Sequence, residues 1–138
     1  MYQKDYILRL IEQAFRFLGQ VLNLIKKGKL DEAADRLEDS YHDFLREDAS
    51  FFTGIPENKL TETLLREHNY SNGHLEILAE LFNVQAELDL AKGNKRECLE
   101  FSRKSLLLYQ FVDKELKTYS SERLKRIDEI ADRLKKLS

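Results

Sequence analysis

The chain has 138 residues, of which 42% are hydrophobic and 35% charged, and its formal net charge is −2 at pH 7. This length corresponds to one domain, and the composition is that of a chain that folds rather than one that stays disordered. A net charge so close to zero provides no general attraction to phosphate backbones or anionic lipids, so we expect neither nucleic acid nor a membrane as a partner.

The first thirteen residues and the single cysteine indicate the cellular compartment in which the protein resides. The opening MYQKDYILRLIEQ interrupts its apolar positions with Asp5, Arg9 and Glu12, a pattern that fits neither a signal peptide nor a membrane span. Cys98 has no second cysteine in the sequence to pair with, which fits a reducing compartment. We therefore expect a cytoplasmic protein.

A first helical hairpin is predicted in the amino-terminal third. Apolar residues recur every three or four positions from Tyr6 to Ile25 and cover more than one side of the helix. Lys26-Lys27-Gly28 should end this helix, because cations suit a helix C-terminus and glycine accepts the left-handed conformation. A second helix is predicted over residues 30–52, with these side chains facing inward: Ala33, Leu37, Tyr41, Phe44 and Leu45.

The two arms of this hairpin carry opposite charge. Residues 1–29 hold six basic and two acidic side chains, and residues 30–52 hold eight acidic and two basic ones. We expect the charges to be solvated and to pair across the hairpin. A docking site for a charged partner is the alternative interpretation.

A short segment separates the first hairpin from the rest of the chain. Thr53-Gly54 should break the second helix, and Pro56 suits the first turn of a short helix that extends to about Arg66. The following HNYSNG is turn-like, and either Ser71 or Asn72 can cap the next helix.

Three further helices are predicted. The first runs over residues 74–92 and ends at Lys92-Gly93, and Asn94 with Glu97 forms the pattern of a capping box that begins the second, which runs to about residue 116. Ser120 or Ser121 begins the third, whose single narrow apolar face suits a terminal helix that covers an exposed edge.

Segments 17–44 and 82–109 match each other at an offset of 65 residues. Each copy ends its first helix with a glycine and has a small residue five positions later, where two helices must approach closely. The matched positions are Phe17 and Phe82, Gln20 and Gln85, Lys27 and Lys92, Gly28 and Gly93, Glu32 and Glu97, Ala33 and Cys98, and Ser40 and Ser105.

These two segments resemble tetratricopeptide repeats, in which a large residue lies early in the first helix, a glycine in the turn and small residues in the second helix. Leu30 matches the apolar residue after the turn. The resemblance implies one all-α domain of antiparallel helical hairpins, about six helices with a C-terminal capping helix. Because the offset is 65 residues rather than about 34, we expect the hairpins not to stack directly and the segment from Pro56 to lie between or beside them. The opening thirteen residues also resemble those of a family of small uncharacterised bacterial proteins, which implies a fold and no activity.

The sequence provides little for catalysis or metal binding. Asp39-x-x-His42 alone approaches a metal-binding spacing, and Cys98 falls where helix packing requires a small residue, so we predict no metal, cofactor or catalytic residue. The alternative is a small-ligand-binding or catalytic pocket near the predicted turn, around His68, Tyr70 and His74.

We expect a non-enzymatic interaction module that binds a protein or peptide. The resemblance implies a concave surface formed by the first helix of each hairpin, with Leu18, Leu22, Asn83 and Glu87 facing the partner. The basic and asparagine residues with which related domains hold chaperone C-termini are missing at Leu22 and Glu87, which argues against a chaperone-tail receptor.

Self-association through the first helix is the other expectation for the partner. That helix is apolar on more sides than one neighbouring helix covers, so it should be central in the bundle or form a dimer interface that includes Tyr2 and Tyr6.

Overall fold

The structure is a computed structural model that describes residues 2–117 and 119–138, with side chains from Asp5 onward. Within these residues every regular element is helical, which confirms the all-α class. The α-helices are α1 (Tyr2–Lys26), α2 (Leu30–Leu45), α3 (Ala49–Thr53), α4 (Leu60–Glu62), α5 (Asn72–Ala91), α6 (Lys95–Leu116) and α7 (Ser121–Leu137).

Two corners of the same geometry join α1 to α2 and α5 to α6. The backbone N–H of Lys29 donates to the carbonyl of Leu24 at 2.9 Å, and that of Asn94 donates to the carbonyl of Asp89 at 2.8 Å. The glycine in each corner has a positive φ, +78° at residue 28 and +84° at residue 93, as the left-handed helix stop requires. Both predicted helix ends are confirmed, and the internal repeat has the same backbone geometry in its two copies.

Helix α5 is the centre of the molecule and contacts α1, α2 and α6. Its apolar residues are buried on nearly all sides, so it is not the amphipathic helix that its Leu75 and Leu78 spacing predicts. The two hairpins therefore pack directly against each other, and the expectation that they would not was wrong. The physical reason is that a helix apolar all round must be covered by several neighbours.

The second predicted helix is interrupted. It ends at Leu45, because Arg46 adopts a left-handed φ of +68° and its N–H bonds to the carbonyl of His42. A separate short helix, α3, then follows Asp48. The apolar pattern continues without a break to Phe52 and contains no glycine or proline, so the sequence carries no local signal for this stop.

The segment after Pro56 lies beside the hairpins, against α6. It is not one helix: a 3₁₀ turn over Glu57–Lys59 leads into α4, and a π-helical turn over Thr63–Glu67 follows. The ammonium of Lys104 on α6 donates to the carbonyl of Thr53 at 3.1 Å and joins the end of α3 to the second hairpin.

The helix starts are confirmed in two cases and corrected in a third. Ser71 caps α5, and the Oγ of Ser120 accepts a hydrogen bond at 3.2 Å from the N–H of Arg123 at the start of α7. Asn94 precedes α6 as predicted but its side chain makes no capping hydrogen bond, so the predicted capping box with Glu97 is absent. The Schellman-type corner at Gly93 fixes the start of α6 instead.

The small residues predicted at the contacts between helices lie in the interior. All four predicted positions are fully buried: Ala33, Ser40, Cys98 and Ser105. The Oγ of Ser105 donates to the carbonyl of Ala79 at 2.6 Å, a contact that a larger side chain would prevent.

No ion pair joins α1 to α2 among the side chains described. The pair recorded within α2 is Arg36 with Glu32, at 3.3 Å. The helices meet through apolar side chains, with the Phe17 and Phe44 rings 6.0 Å apart, so their charged residues point away from the contact. The expected pairing across the hairpin is therefore not found.

Candidate partner-binding groove

A groove runs between α1 and α7 and has α5 as its floor. It contains two cavities, of about 480 Å³ and about 240 Å³, both of which are bordered by Arg126. The larger cavity lies at the C-terminal ends of α1 and α7, and the smaller lies at the N-terminal end of α7. Three helices line the two cavities, with Ile11, Phe15, Leu22 and Ile25 on α1, Glu76, Asn83 and Glu87 on α5, and Arg123, Arg126 and Arg133 on α7.

The α1 wall of the groove is apolar. Ile11, Phe15, Leu22 and Ile25 follow the spacing of one helix face, and each side chain is half-buried. Leu18, which shares this side of α1, is fully buried beneath them. This wall accounts for the excess of apolar residues on α1, because α2 and α5 do not cover it.

Helix α7 is held to α5 chiefly by arginine side chains. Arg126 donates from Nε to Glu80 Oε1 at 2.9 Å and from Nη2 to Glu80 Oε2 at 2.7 Å. The hydroxyl of Tyr109 donates to the same Glu80 Oε1 at 2.5 Å. The carboxylate of Glu80 is therefore fully hydrogen-bonded although the residue is only 1% exposed.

The ionisation of this pair is set by two opposing effects. Burial raises the pKa of Glu80, and the guanidinium of Arg126 pulls it back towards its usual value. Burial alone would lower the pKa of Arg126, but the Glu80 carboxylate outweighs it and raises that pKa above its ordinary value. The paired hydrogen bonds indicate that both groups are charged.

Arg133 forms hydrogen bonds with two of the residues predicted to face a partner. Its Nη2 donates to Asn83 Oδ1 at 2.7 Å and its Nη1 donates to Glu87 Oε2 at 2.8 Å. Its Nε donates to the Oγ of Ser102 at 3.0 Å. The terminal helix of the chain itself thus engages polar groups that a bound peptide would otherwise reach.

The structure places the four predicted partner-facing residues as follows. Leu22, Asn83 and Glu87 lie together along the groove, whereas Leu18 belongs to the core. Sequence reasoning missed the arginines of α7, although a signal was present. Glu76, Glu80, Asn83 and Glu87 form one polar line on an otherwise apolar helix, and such a line needs polar partners.

The histidines of the alternative site do come together. The ring centroids of His68 and Tyr70 are 6.1 Å apart and those of Tyr70 and His74 are 5.0 Å apart. The Tyr70 hydroxyl donates to the carbonyl of Leu45, and the N–H of Ser71 donates to His74 Nδ1 at 3.1 Å. Burial lowers the pKa of His74, which keeps Nδ1 free to accept this bond. The buried Nδ1 of His68, by contrast, has no hydrogen-bond partner among the described residues.

Of these three rings, only His74 borders the neighbouring cavity of about 560 Å³, which also touches Tyr6. The cavity is a wide opening on the surface rather than an enclosed pocket with converging polar groups. The side chain of Tyr2, the other residue expected at a dimer interface, is outside the described side chains.

The other candidate catalytic and metal-binding groups are also poorly suited to these roles. Burial raises the pKa of the Cys98 thiol, whose Sγ is 4.0 Å from the Oγ of Ser102, so the thiolate that a nucleophile requires is disfavoured. Across residues 2–117 and 119–138, no three His, Cys, Asp or Glu side chains converge as a metal site would require. In the same residues no helix has an apolar stretch sufficient to cross a bilayer.

Comparisons with protein-family models, with curated proteins and with solved structures found no match to this chain.

Proposed function

We propose that this chain is a non-enzymatic helical interaction module, cytoplasmic and similar to tetratricopeptide-repeat proteins, and that its α1–α7 groove binds an amphipathic helix of a protein partner. One observation carries the proposal. Four half-buried apolar side chains of α1 line a groove that no described segment of the chain fills, while the arginines of α7 opposite already have partners.

The dimensions of the groove suit a helix. From Ile11 to Ile25 the apolar wall extends over about 21 Å, at about 1.5 Å of rise per residue. A partner helix of about four turns has this length, and its apolar side chains at three- and four-residue spacing would pack against the wall.

The electrostatics favour an apolar anchor over a charged one. Arg126 and Arg133, which face the groove from α7, are paired with Glu80 and Glu87. A charged partner residue would have to compete with these pairs. An apolar face against α1 requires no such exchange and removes apolar surface from water.

The resemblance to tetratricopeptide repeats supports the same surface. It implies that the first helix of each hairpin contributes to the partner-binding face, and these helices are α1 and α5, the wall and floor of the groove. The alternative of a ligand-binding or catalytic bundle has less support, because the polar atoms of Tyr70 and His74 serve the local structure and His68 does not border the neighbouring cavity.

The test is a pull-down from native cell extract with the wild-type chain and two variants. Leu22→Glu places a charge on the apolar wall, and Leu124→Glu makes the same change on α7 at a residue that does not line the groove. We expect Leu22→Glu to lose the captured protein and Leu124→Glu to keep it, with unchanged helix content in both by circular dichroism. Capture that is insensitive to Leu22→Glu would contradict the proposal.

A further inference from the structure

We propose that the helix bound in this groove comes from a second copy of the chain, with the two α1 helices crossing antiparallel at Gly19. This inference rests on the proposed function, because it names the partner of the same groove. Two observations support the inference. Packing within one chain does not explain Gly19, and charged residues lie on either side of it along α1.

Gly19 lies in the interior of the 25-residue helix α1. A glycine there costs about 1 kcal/mol relative to alanine. A Cβ added at Gly19 would have no atom within 4 Å, whereas one added at Gly73 would lie 2.2 Å from Cγ2 of Ile7. Packing within the chain therefore explains Gly73 and leaves Gly19 unexplained. Close approach of another backbone is one requirement that glycine meets better than any other residue.

Gly19 is the middle residue of an exposed strip along α1. Glu12, Gly19 and Lys26 are spaced by seven residues, so they share one line on the helix surface, beside Phe15 and Leu22. Among the described side chains, neither Glu12 nor Lys26 forms an ion pair within the chain. The strip thus has an unpaired negative charge at one end and an unpaired positive charge at the other.

A two-fold axis through Gly19 makes this strip complementary to itself. In an antiparallel crossing, Glu12 faces Lys26 of the partner subunit, and the symmetry repeats the pair. Phe15 likewise comes beside Leu22 of the partner subunit. A parallel crossing would instead bring Glu12 against Glu12 of the partner subunit, and like charges so placed repel. The charges therefore select the antiparallel arrangement.

Tyr6 does not belong to this surface. It is 49% exposed but lies by the cavity next to His74 and off the line of Glu12, Gly19 and Lys26. The interface inferred from the structure is thus further along α1 than the one that the sequence suggested.

Sedimentation equilibrium on the full chain, from about 1 to about 300 µM, tests the inference, because this concentration range detects weak as well as tight dimers. We expect wild type to form dimers and Glu12→Lys and Lys26→Glu each to be monomeric, because each variant brings like charges together. An equimolar mixture of the two variants should form a heterodimer, since all four charged positions then face opposite charges. The double variant Glu12→Lys/Lys26→Glu should dimerise like wild type.

Two further variants complete the design. Gly19→Leu should abolish the dimer, and Glu38→Lys on the exposed face of α2 should leave it unchanged. A dimer that survives Glu12→Lys and Lys26→Glu, or a mixture that stays monomeric, would overturn the inference.

The outcomes separate this inference from the proposed function. A wild-type chain that is monomeric throughout, yet captures a protein in a Leu22-dependent way, would overturn self-association and retain the groove. Dimerisation and capture that are both insensitive to Leu22→Glu would overturn both.

Discussion

Arg126 on α7 and Glu80 on α5 are 46 residues apart in sequence and form two parallel hydrogen bonds in the interior, at 2.9 and 2.7 Å. Arg123 and Arg133 extend the same contact on either side, the first to Glu76 and the second to Glu87. Helix α7 thus joins α5 through charged pairs, while its apolar face, with Ile130 fully buried, packs against α6 and the core.

Removing one member of the buried pair should be costly. Arg126→Met leaves the carboxylate of Glu80 buried without its cationic partner, and we expect the free energy of unfolding to fall by about 3 kcal/mol. Lys136→Met breaks the exposed pair with Asp132, 3.0 Å apart, and should change the free energy by less than about 0.5 kcal/mol. Urea denaturation of both variants measures the difference. Equal effects would show that the buried pair does not hold α7.

Substitution by alanine should have opposite effects on stability at Gly19 and at Gly73. Gly19→Ala relieves the cost of glycine in a helix and should raise the free energy of unfolding of the monomer by about 0.5 to 1 kcal/mol. Gly73→Ala forces the added Cβ against Ile7 and should lower it by about 1 to 3 kcal/mol. Denaturation at low protein concentration keeps association out of the comparison. Destabilisation by Gly19→Ala under these conditions would mean that Gly19 has a role inside the monomer.

The start of α5 should make stability depend on pH through His74. Burial lowers the pKa of His74 below its ordinary 6.5, so between the lowered value and about 6.5 the unfolded chain binds the proton and the folded chain does not. This contribution to stability is complete above about pH 6.5 and is lost as the pH falls through the lowered pKa.

A pair of variants isolates this contribution. His74→Gln keeps a side chain that can bond to the N–H of Ser71 but does not titrate, so the fall in stability below pH 6.5 should become shallower. His74→Ala loses the hydrogen bond as well and should lower the free energy of unfolding by about 1 kcal/mol at pH 7. Denaturation curves at a series of pH values provide the measurement. An unchanged slope for His74→Gln would exclude His74 as the source.

Two buried tyrosine hydroxyls should differ in their contribution to the free energy of unfolding. Tyr41 is fully buried and its hydroxyl has no hydrogen-bond partner in the described residues, whereas the hydroxyl of Tyr109 donates to Glu80. Burial, with a smaller effect of Asp89, raises the pKa of Tyr41, so the hydroxyl stays neutral. Tyr41→Phe retains the stacking on Phe52, with ring centroids 5.9 Å apart.

We expect Tyr41→Phe to leave the free energy of unfolding unchanged or to raise it by up to about 1 kcal/mol, because it removes a buried polar group without a partner. Tyr109→Phe should lower it by about 1 to 3 kcal/mol, since Glu80 then loses a donor. Thermal or urea unfolding distinguishes the two variants. A loss with Tyr41→Phe as large as that with Tyr109→Phe would show that both hydroxyls are engaged.

Sequence by itself determined the local features of this protein. The corners at Gly28 and Gly93 were predictable, and the caps at Ser71 and Ser120 were each one of two candidates, because such features depend on backbone geometry and hydrogen bonds within a few residues. The end of α2 at Arg46 was not predictable, because arginine has no preference for the left-handed conformation and the apolar pattern continues past it.

Only the tertiary structure decided how these pieces are arranged. That α5 is central, that the hairpins pack directly, and that Arg133 engages Asn83 and Glu87 all depend on contacts between residues distant in the chain, 50 residues apart for Arg133 and Asn83. Leu22, Asn83 and Glu87 were identified from the sequence as neighbours of one groove. The second wall of the groove, helix α7, was not predicted. A line of polar and charged residues on α5 shows that partners are needed but does not show which helix provides them.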